Sequence, residues 1–254
     1  MAESVNRGGY KFTRTKHKAG LVVFPDAAEI DQEFLSEWVE RRRPTEATEE
    51  FTVDEEGNYI NRGGYKFTPD QFKTTPLRLV GLLHDAEPED KAFVDYLDSV
   101  MALCLDEYMV MYPEVRTSIW YRTPSHAVIY SEGHSLGPHS DQAVERGDKP
   151  MNEFPTKTVV TASIVLKDSA EGGAMYFPHA EHEEKFSVGT AVFYPSSYIG
   201  SHSVGLITGG ERIAYLQFYC QGTPIEGQSQ THVDSWRSKE GKWVPPVHGA
   251  DYVL

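Results

Sequence analysis

Short segments rich in β-branched and apolar residues dominate the chain from residue 126 to residue 220. Gly, Pro and acidic residues separate these segments at short intervals, which is typical of a β-sandwich or β-barrel. The clearest segments are 127–130, 158–166, 174–177, 185–194 and 212–219. The sequence therefore predicts a β core over residues 126–220.

A helix is predicted shortly after the apolar strand 21–24. Asp26 and Glu29 have the spacing of a capping box, and apolar residues recur at helical spacing after them. Three arginines suit the negative end of this helix, and Pro44 is expected to end it. The acidic segment 45–58 contains few apolar residues, so we predict a mobile loop there.

A second helix is predicted over 88–112, where one face is apolar and a proline lies just past the end. Helices before a β core favour an α+β fold with the N-terminal helices packed on one sheet. We expect one domain over 1–254, with a helical support region at 1–125, the β core at 126–220 and a C-terminal extension at 221–254.

Composition excludes several classes of protein. The net charge of −14 opposes binding to a phosphate backbone, so nucleic acid is not an expected partner. No apolar run is long enough to span a membrane, and the N-terminus lacks the apolar stretch of a secretory signal. Two cysteines do not suggest a disulfide framework. We therefore expect a soluble cytoplasmic protein.

An octapeptide, Asn-Arg-Gly-Gly-Tyr-Lys-Phe-Thr, occurs at 6–13 and again at 61–68. A local duplication, or two equivalent edge strands, is the simpler interpretation. The alternative is that one copy occupies a substrate groove or a partner surface. Two copies without a further period do not indicate a solenoid.

His139 and Asp141 are separated by one residue. Because side chains alternate along a strand, both can point to the same side and converge on one ion. One more ligand would complete the facial set of non-haem iron(II) oxygenases, which leaves coordination positions open for substrates. An isolated His-x-Asp pair is weak evidence, since it occurs by chance in many proteins.

His202 is the candidate third ligand, because small residues flank it and permit close approach. Ten residues later, Arg212 opens a strand on the same face as alternate apolar residues, which directs its side chain into the core. A buried guanidinium needs an anionic partner, and a dicarboxylate would supply one. The alternative is a surface arginine paired with Glu211.

Three further histidines lie near these residues in the sequence. His179 and His182 fall in a polar turn between predicted strands and are expected to be solvated. His134 could line the entrance to a site or be simply exposed. None of the three is preferred as a metal ligand.

The segment 130–219 resembles the prolyl-4-hydroxylase-like group of iron(II)/2-oxoglutarate dioxygenases. The matching pieces, in order, are Tyr130 ahead of His139-x-Asp141, the turn 171–173 leading into 174–178, the segment 188–194, and His202-x-Val204 followed by Arg212. The N-terminal strand and helices match only loosely.

This resemblance implies a double-stranded β-helix, a jelly-roll or cupin-like core with the site between its sheets. It implies that His139, Asp141 and His202 hold iron(II). Arg212 would bind the 5-carboxylate of 2-oxoglutarate, and Tyr130 would hydrogen-bond to the same carboxylate. Dioxygen is the other co-substrate, and ascorbate is a candidate addition.

The implied activity is hydroxylation of an aliphatic C–H bond, coupled to decarboxylation of 2-oxoglutarate to succinate. The substrate would be an amino acid, a peptidyl residue or a similarly small molecule. The intact Asp141 favours hydroxylation, since related halogenases carry Gly or Ala at this position. Desaturation and cyclisation stay open, and the oligomeric state is not predicted.

Two other classes of function are compatible with parts of the sequence. A catalytically silent cupin-like binding module would keep the metal site without turnover. A structural virion or cell-surface protein would carry the His-x-Asp pair by chance, and only the octapeptide repeat favours it. The joint occurrence of His139, Asp141, His202 and Arg212 in order favours the enzyme.

Overall fold

The computed structural model describes residues 2–7, 10–46, 51–61, 66–68, 77–79, 88–119, 121–122, 125–142, 154–221 and 234–235. The N-terminal elements are β1 (Ala2–Arg7), β2 (Tyr10–Lys16), β3 (Val22–Phe24), α1 (Gln32–Glu46), β4 (Phe51–Val53), β5 (Tyr59–Asn61), β6 (Lys66–Phe67), β7 (Leu77–Leu79), α2 (Pro88–Met111) and α3 (Pro113–Ser118). The C-terminal elements are β8 (Tyr121–Arg122), β9 (His126–Tyr130), β10 (Leu136–His139), α4 (Phe154–Lys157), β11 (Thr158–Lys167), β12 (Glu171–Gly172), β13 (Met175–Phe177), β14 (His182–Glu184), β15 (Ala191–Pro195), β16 (His202–Val204), β17 (Ile207–Gly209), β18 (Arg212–Cys220) and β19 (Asp234–Ser235).

The strands form antiparallel sheets. A large sheet has the order β1-β2-β3-β15-β11-β18-β8-β19, with β9 also on β18 and β7 on β9. A smaller sheet has the order β10-β16-β13-β14, and β12-β17 and β4-β5-β6 form two further sheets. Among the described residues, the predicted β core thus contains the whole small sheet and four of the ten strands of the large sheet, β9, β11, β15 and β18. The region 1–125, predicted as helical support, contributes five further strands to the large sheet: β1, β2, β3, β7 and β8.

One face of the large sheet packs against the helices. Trp38 of α1 and Leu97 of α2 lie in one apolar cluster with Ala162, Phe193 and Tyr215 from three adjacent strands. These side chains are almost completely buried. The expectation that N-terminal helices pack on one sheet agrees with this layer, because burying that face removes a continuous apolar surface from water.

The other face of the large sheet meets the small sheet. Val165 and Tyr194 of the large sheet share a second apolar cluster with Met175, Phe177 and Val204 of the small sheet. A polar group placed between the two sheets is therefore shielded from water on both sides.

The first helix begins later than predicted. The Asp31 carboxylate accepts hydrogen bonds from the backbone N–H groups of Glu33 (3.0 Å) and Phe34 (3.1 Å), so Asp31 caps α1. Asp26 instead has φ 55° in the turn after β3. Pro44 was also predicted incorrectly as the end, since α1 continues to Glu46. Pro44 removes one helical hydrogen bond and crowds the carbonyl of the preceding turn, and the helix ends two residues after it.

Two other predicted segments differ from the structure. The acidic segment 45–58, predicted as a loop, contains β4 and a turn in which the Asp54 carboxylate accepts the backbone N–H groups of Glu56 and Asn58. The predicted strand 185–194 is a strand only from Ala191, because Gly189 adopts φ 82° and turns the chain before it. The second helix, predicted over 88–112, is confirmed as α2.

Each octapeptide copy spans the connection between two antiparallel strands. In the first copy, Asn6 pairs with Lys11 across β1 and β2. In the second, Lys66 of β6 pairs with Ile60 of β5, which lies just before the copy begins. The two identical sequences therefore have strand registers that differ by one residue.

None of the helices in the described part of the chain combines the length and apolar composition that a membrane crossing needs. Cys104 and Cys220 are both buried, and no disulfide joins them.

Asp90 provides a test of how α1 is attached to α2. Its buried carboxylate contacts Arg41 (2.7 Å) and the buried Arg42 (3.1 Å) of α1. Asp90→Ala leaves a buried guanidinium without this partner, and we expect a loss of about 3–5 kcal/mol in the free energy of unfolding, measured by urea denaturation. Asp95→Ala, which breaks an exposed pair with Lys91 in the same helix, should change it by less than about 1 kcal/mol. Equal losses in the two variants would contradict this.

Candidate functional site

The structure brings the three predicted metal ligands together. His139 on β10 pairs directly with His202 on β16, and Asp141 follows two residues after His139. The ligating atoms of the three side chains all lie within 4.8 Å of one another. They converge at the edge of the gap between the two sheets, where one ion could contact all three.

Backbone carbonyl groups orient both imidazoles. Nδ1 of His139 lies 2.9 Å from the Gly137 carbonyl oxygen, and Nδ1 of His202 lies 3.2 Å from the Gly200 carbonyl oxygen. A carbonyl oxygen can only accept, so each Nδ1 carries the proton and each Nε2 presents a lone pair. This is the arrangement by which metal-binding histidines are usually held.

The position of the Gly200 carbonyl depends on close backbone packing. A Cβ atom on Gly200 would lie 1.8 Å from the Pro195 carbonyl oxygen, so only glycine fits at this point. The short 3₁₀ turn Tyr198–Gly200 is thereby packed against the end of β15, immediately before His202. The turn fixes the group that orients one of the three ligands.

Thr161 orients the carboxylate. Its hydroxyl donates to Oδ2 of Asp141 at 2.7 Å and lies 2.9 Å from the Ser196 hydroxyl. The other carboxylate oxygen, Oδ1, is 3.4 Å from Nε2 of His139. One oxygen is therefore held by the protein while the other faces the two imidazoles.

The protonation states suit a metal. Burial by itself would raise the pKa of Asp141, but charge on His202 and His139 and the Thr161 hydrogen bond lower it to about 2. Burial lowers the pKa of His202, so its imidazole is neutral at neutral pH. A neutral His202 imidazole and an ionised Asp141 carboxylate, with His139 as the third donor, fit a divalent first-row metal such as iron(II).

Arg212 lies in the same gap, on the large sheet. It pairs in register with Tyr130 of β9, and its guanidinium carbon is 5.6 Å from the centre of the Tyr130 ring. The arginine is only 3% exposed, whereas Glu211 contacts Lys167 and Ser131 instead. The alternative of a surface arginine paired with Glu211 is therefore excluded.

The Arg212 guanidinium has no acidic partner at contact distance in the described part of the chain. Its hydrogen-bond acceptor is the Met175 sulfur at 3.4 Å, which is a weak acceptor. Burial lowers the pKa of Arg212. Tyr130 and the Asp168 carboxylate raise this pKa in part, although Asp168 is too far away to form an ion pair with Arg212 and instead contacts Lys185. A buried cation in this environment is suited to bind an anion.

Sequence reasoning missed three residues of the site: Thr161, Tyr194 and Ser196. The Tyr194 hydroxyl lies 3.3 Å from Nε2 of His202, and its ring packs against Phe177. Burial raises the pKa of Tyr194 well above its usual value, so it stays a neutral phenol. The only signal in the sequence was a polar residue inside a predicted apolar strand, which does not by itself indicate a role.

The other histidines lie outside this group. His134 Nδ1 accepts the Ser131 backbone N–H at 3.1 Å within a turn. His182 belongs to β14 rather than a turn, and it contacts Glu184 at 2.8 Å and the His17 ring. His179 is exposed beside Tyr198. None of the three replaces a predicted ligand.

Thr161→Val tests the support of the carboxylate. The substitution keeps the shape but removes the hydrogen bond that lowers the pKa of Asp141, and we expect metal affinity to fall about 10- to 100-fold at neutral pH. Competition titration with Co(II) measures this. Thr190→Val, which removes a buried hydroxyl before β15, is the matched control and should leave the affinity unchanged. Tight binding by Thr161→Val would contradict the assigned role.

Several solved structures are similar to this chain at low identity. A Pseudomonas putida prolyl-4-hydroxylase is 16% identical with a TM-score of 0.47, covering 82% of this chain and 95% of that one. The viral collagen prolyl hydroxylase of Paramecium bursaria Chlorella virus-1, solved with 2-oxoglutarate, is 16% identical with a TM-score of 0.44, covering 61% and 84%. These TM-scores are below 0.5, so no conclusion about fold or function is drawn from them.

Sequence comparison finds relatives of higher identity, although no family model matches the chain. A PKHD-type hydroxylase of Alteromonas mediterranea is 33% identical over 89 residues, which are 34% of this chain and 38% of the relative. One of Maricaulis maris is 35% identical over 89 residues, 34% of this chain and 37% of the relative. The match thus spans little more than a third of the relatives' length. Over about a third of its length this chain is therefore similar in sequence to PKHD-type hydroxylases, in agreement with the predicted resemblance.

Proposed function

We propose that this protein is an iron(II)- and 2-oxoglutarate-dependent dioxygenase that hydroxylates an aliphatic C–H bond of an amino acid or a peptidyl residue. One observation carries the proposal. Three pre-oriented side chains, His139, Asp141 and His202, lie in the gap between the sheets with Arg212, a buried cation that has no acid at contact distance among the described residues. A metal and a dicarboxylate would satisfy both halves of the site.

In this proposal His139, Asp141 and His202 hold iron(II) on one face. The Nε2 atoms of the histidines and Oδ1 of Asp141 would bind the metal, because the other polar atom of each side chain is held by a backbone carbonyl or by Thr161. A facial set of this kind leaves the opposite positions for the co-substrates. The relatives named PKHD-type hydroxylases support a hydroxylation, and two histidines with one carboxylate are the ligand set typical of non-haem iron(II) oxygenases.

Arg212 would bind the carboxylate of 2-oxoglutarate that is remote from the metal. Its fork of N–H groups suits a carboxylate, and the gain is large in a site shielded from water. Tyr130, its partner in register, would donate a hydrogen bond to the same carboxylate. The co-substrate would then extend from Arg212 to the metal.

Iron(II) and 2-oxoglutarate, when bound, supply the oxidation, in which one oxygen atom of dioxygen enters succinate and the other enters a C–H bond of the substrate. The side chains of this chain bind, orient and exclude water. Phe177 stacks on the His202 ring at 5.5 Å, and Val204 is buried beside it. These apolar groups limit the access of water to the ligands from the side of the small sheet.

The finer architecture and setting belong to the same proposal. The two facing antiparallel sheets would form a double-stranded β-helix, with residues 126–220 as the catalytic core of a single domain over 1–254. A net charge of −14 favours a cationic or neutral substrate, either a peptide or a small molecule. We propose a cytoplasmic location.

Anaerobic titration with iron(II) and 2-oxoglutarate tests the function. We expect a weak visible charge-transfer band from the ternary complex, followed by its decay and the formation of succinate when air is admitted. Arg212→Met should weaken 2-oxoglutarate binding by about 100-fold or more and remove the band at concentrations that saturate the wild type, because a charged contact is lost. Metal affinity should stay within a few-fold of wild type.

Arg122→Met is the matched control, since Arg122 is an arginine of the large sheet that contacts Asp98 at 2.9 Å. It should lower stability and leave the band intact. A folded, iron-loaded wild type without a band would contradict the proposal. A band that never leads to succinate with any substrate would identify a catalytically silent binding module instead.

A further inference from the structure

Ser163 has an unusual environment for a serine. It lies in β11, is 3% exposed, and its hydroxyl has no hydrogen-bond partner among the described residues. Other buried serines near it have partners: Ser169 donates to the Gly172 carbonyl and Ser196 contacts Thr161. An unsatisfied buried hydroxyl is costly, so a position of this kind calls for an explanation.

The register of β11 places Ser163 in the gap between the sheets. Ser163 is two residues from Thr161, whose hydroxyl holds Asp141, and two residues from Val165, which packs with the small sheet. Side chains two apart share one face of a strand. Ser163 therefore faces the site, whereas its neighbours Ala162 and Ile164 face the helices.

The surroundings of Ser163 on this face are apolar. Its partners in register are Val192 of β15 and Leu216 of β18. An alanine or valine would suit these neighbours and would avoid the cost of burying a hydroxyl. Packing between the sheets thus gives no reason for a serine here.

Ser163 lies between the two ends of the site. Thr161 is about 7 Å away along the strand, on the metal side. On β18, Arg212 lies four residues from Leu216, the register partner of Ser163. The hydroxyl is thus nearer to the metal ligands than to the Arg212 backbone.

We propose that Ser163 binds the co-substrate, donating a hydrogen bond from its hydroxyl to an oxygen at the 2-oxo acid end of 2-oxoglutarate. This inference rests on the proposed function and adds a contact distinct from those of Arg212 and Tyr130. The bound co-substrate would supply the acceptor that the described residues do not provide. The hydroxyl therefore has a binding role and not a folding role.

Ser163→Ala separates these two roles. Calorimetric titration of the full-length Co(II)-loaded protein with 2-oxoglutarate should give a Kd about 10- to 100-fold higher than that of the wild type, as expected for loss of a hydrogen bond to a charged group. The melting temperature without 2-oxoglutarate should be equal to or higher than that of the wild type, because an unsatisfied hydroxyl is removed. With iron(II) and saturating 2-oxoglutarate, the charge-transfer band should shift.

Ser125→Ala is the matched control. Ser125 is equally buried, but it lies at the helix-facing side and its hydroxyl donates to Asp98 at 2.8 Å. This variant should melt at a lower temperature and bind 2-oxoglutarate like the wild type. Ser163→Thr and Ser163→Val add a second pair of equal shape, of which only the threonine variant should keep tight binding.

The outcomes separate the inference from the proposed function. A Ser163→Ala protein with unchanged Kd and band would overturn the role of Ser163 and leave the function standing. A lower melting temperature with an unchanged Kd would assign the hydroxyl to folding and overturn the inference as well. Failure of the metal-loaded wild type to bind 2-oxoglutarate would overturn the proposed function, and the inference with it.

Discussion

Strand β11 is buried on both faces, and its pairing with β15 and β18 is the constraint on which the rest of the structure depends. Val160, Ala162 and Ile164 face the helices, while Thr161 and Ser163 face the small sheet. A register shift of one residue would exchange the two faces. Apolar side chains would then enter the site and hydroxyl groups would meet the helices. One register thus determines both the stability of the helical layer and the chemistry of the gap.

The site concentrates polar groups in a place that favours apolar ones. Its ligands are held before any metal arrives, by two backbone carbonyl groups and by Thr161. Such preorganisation lowers the cost of binding, because little ordering is left to do. Arg212 differs from these side chains, because it is a buried cation whose hydrogen-bond acceptor is only the weak Met175 sulfur. The folded state therefore stores an unfavourable interaction that a ligand can relieve, as functional sites commonly do.

The sequence predicted those parts of the structure that depend on local pattern or on a family motif. The convergence of His139 and Asp141 and the inward direction of Arg212 were predictable from strand alternation, and His202 was predictable from its small flanking residues and the family motif. Helix α2 was readable from its periodicity. Features that depend on contacts between distant segments could not be predicted from the sequence. The late start of α1 is one example, because the backbone before it bonds to Gly189 and to the Tyr96 hydroxyl, far away in the sequence. Tyr194 is another, since only the fold places its hydroxyl beside a metal ligand.

The two octapeptide copies show that strand pairing also depends on residues outside the paired segment. The two identical segments of eight residues lie in different sheets and have strand registers that differ by one residue. The eight residues therefore do not by themselves determine the register. The residues outside each copy decide it: β2 continues beyond the first copy to pair with β3, and β5 begins before the second copy to pair with β4. A duplicated stretch of sequence is therefore not a duplicated structure, because the strands that flank each copy, and not the eight residues alone, determine how it pairs.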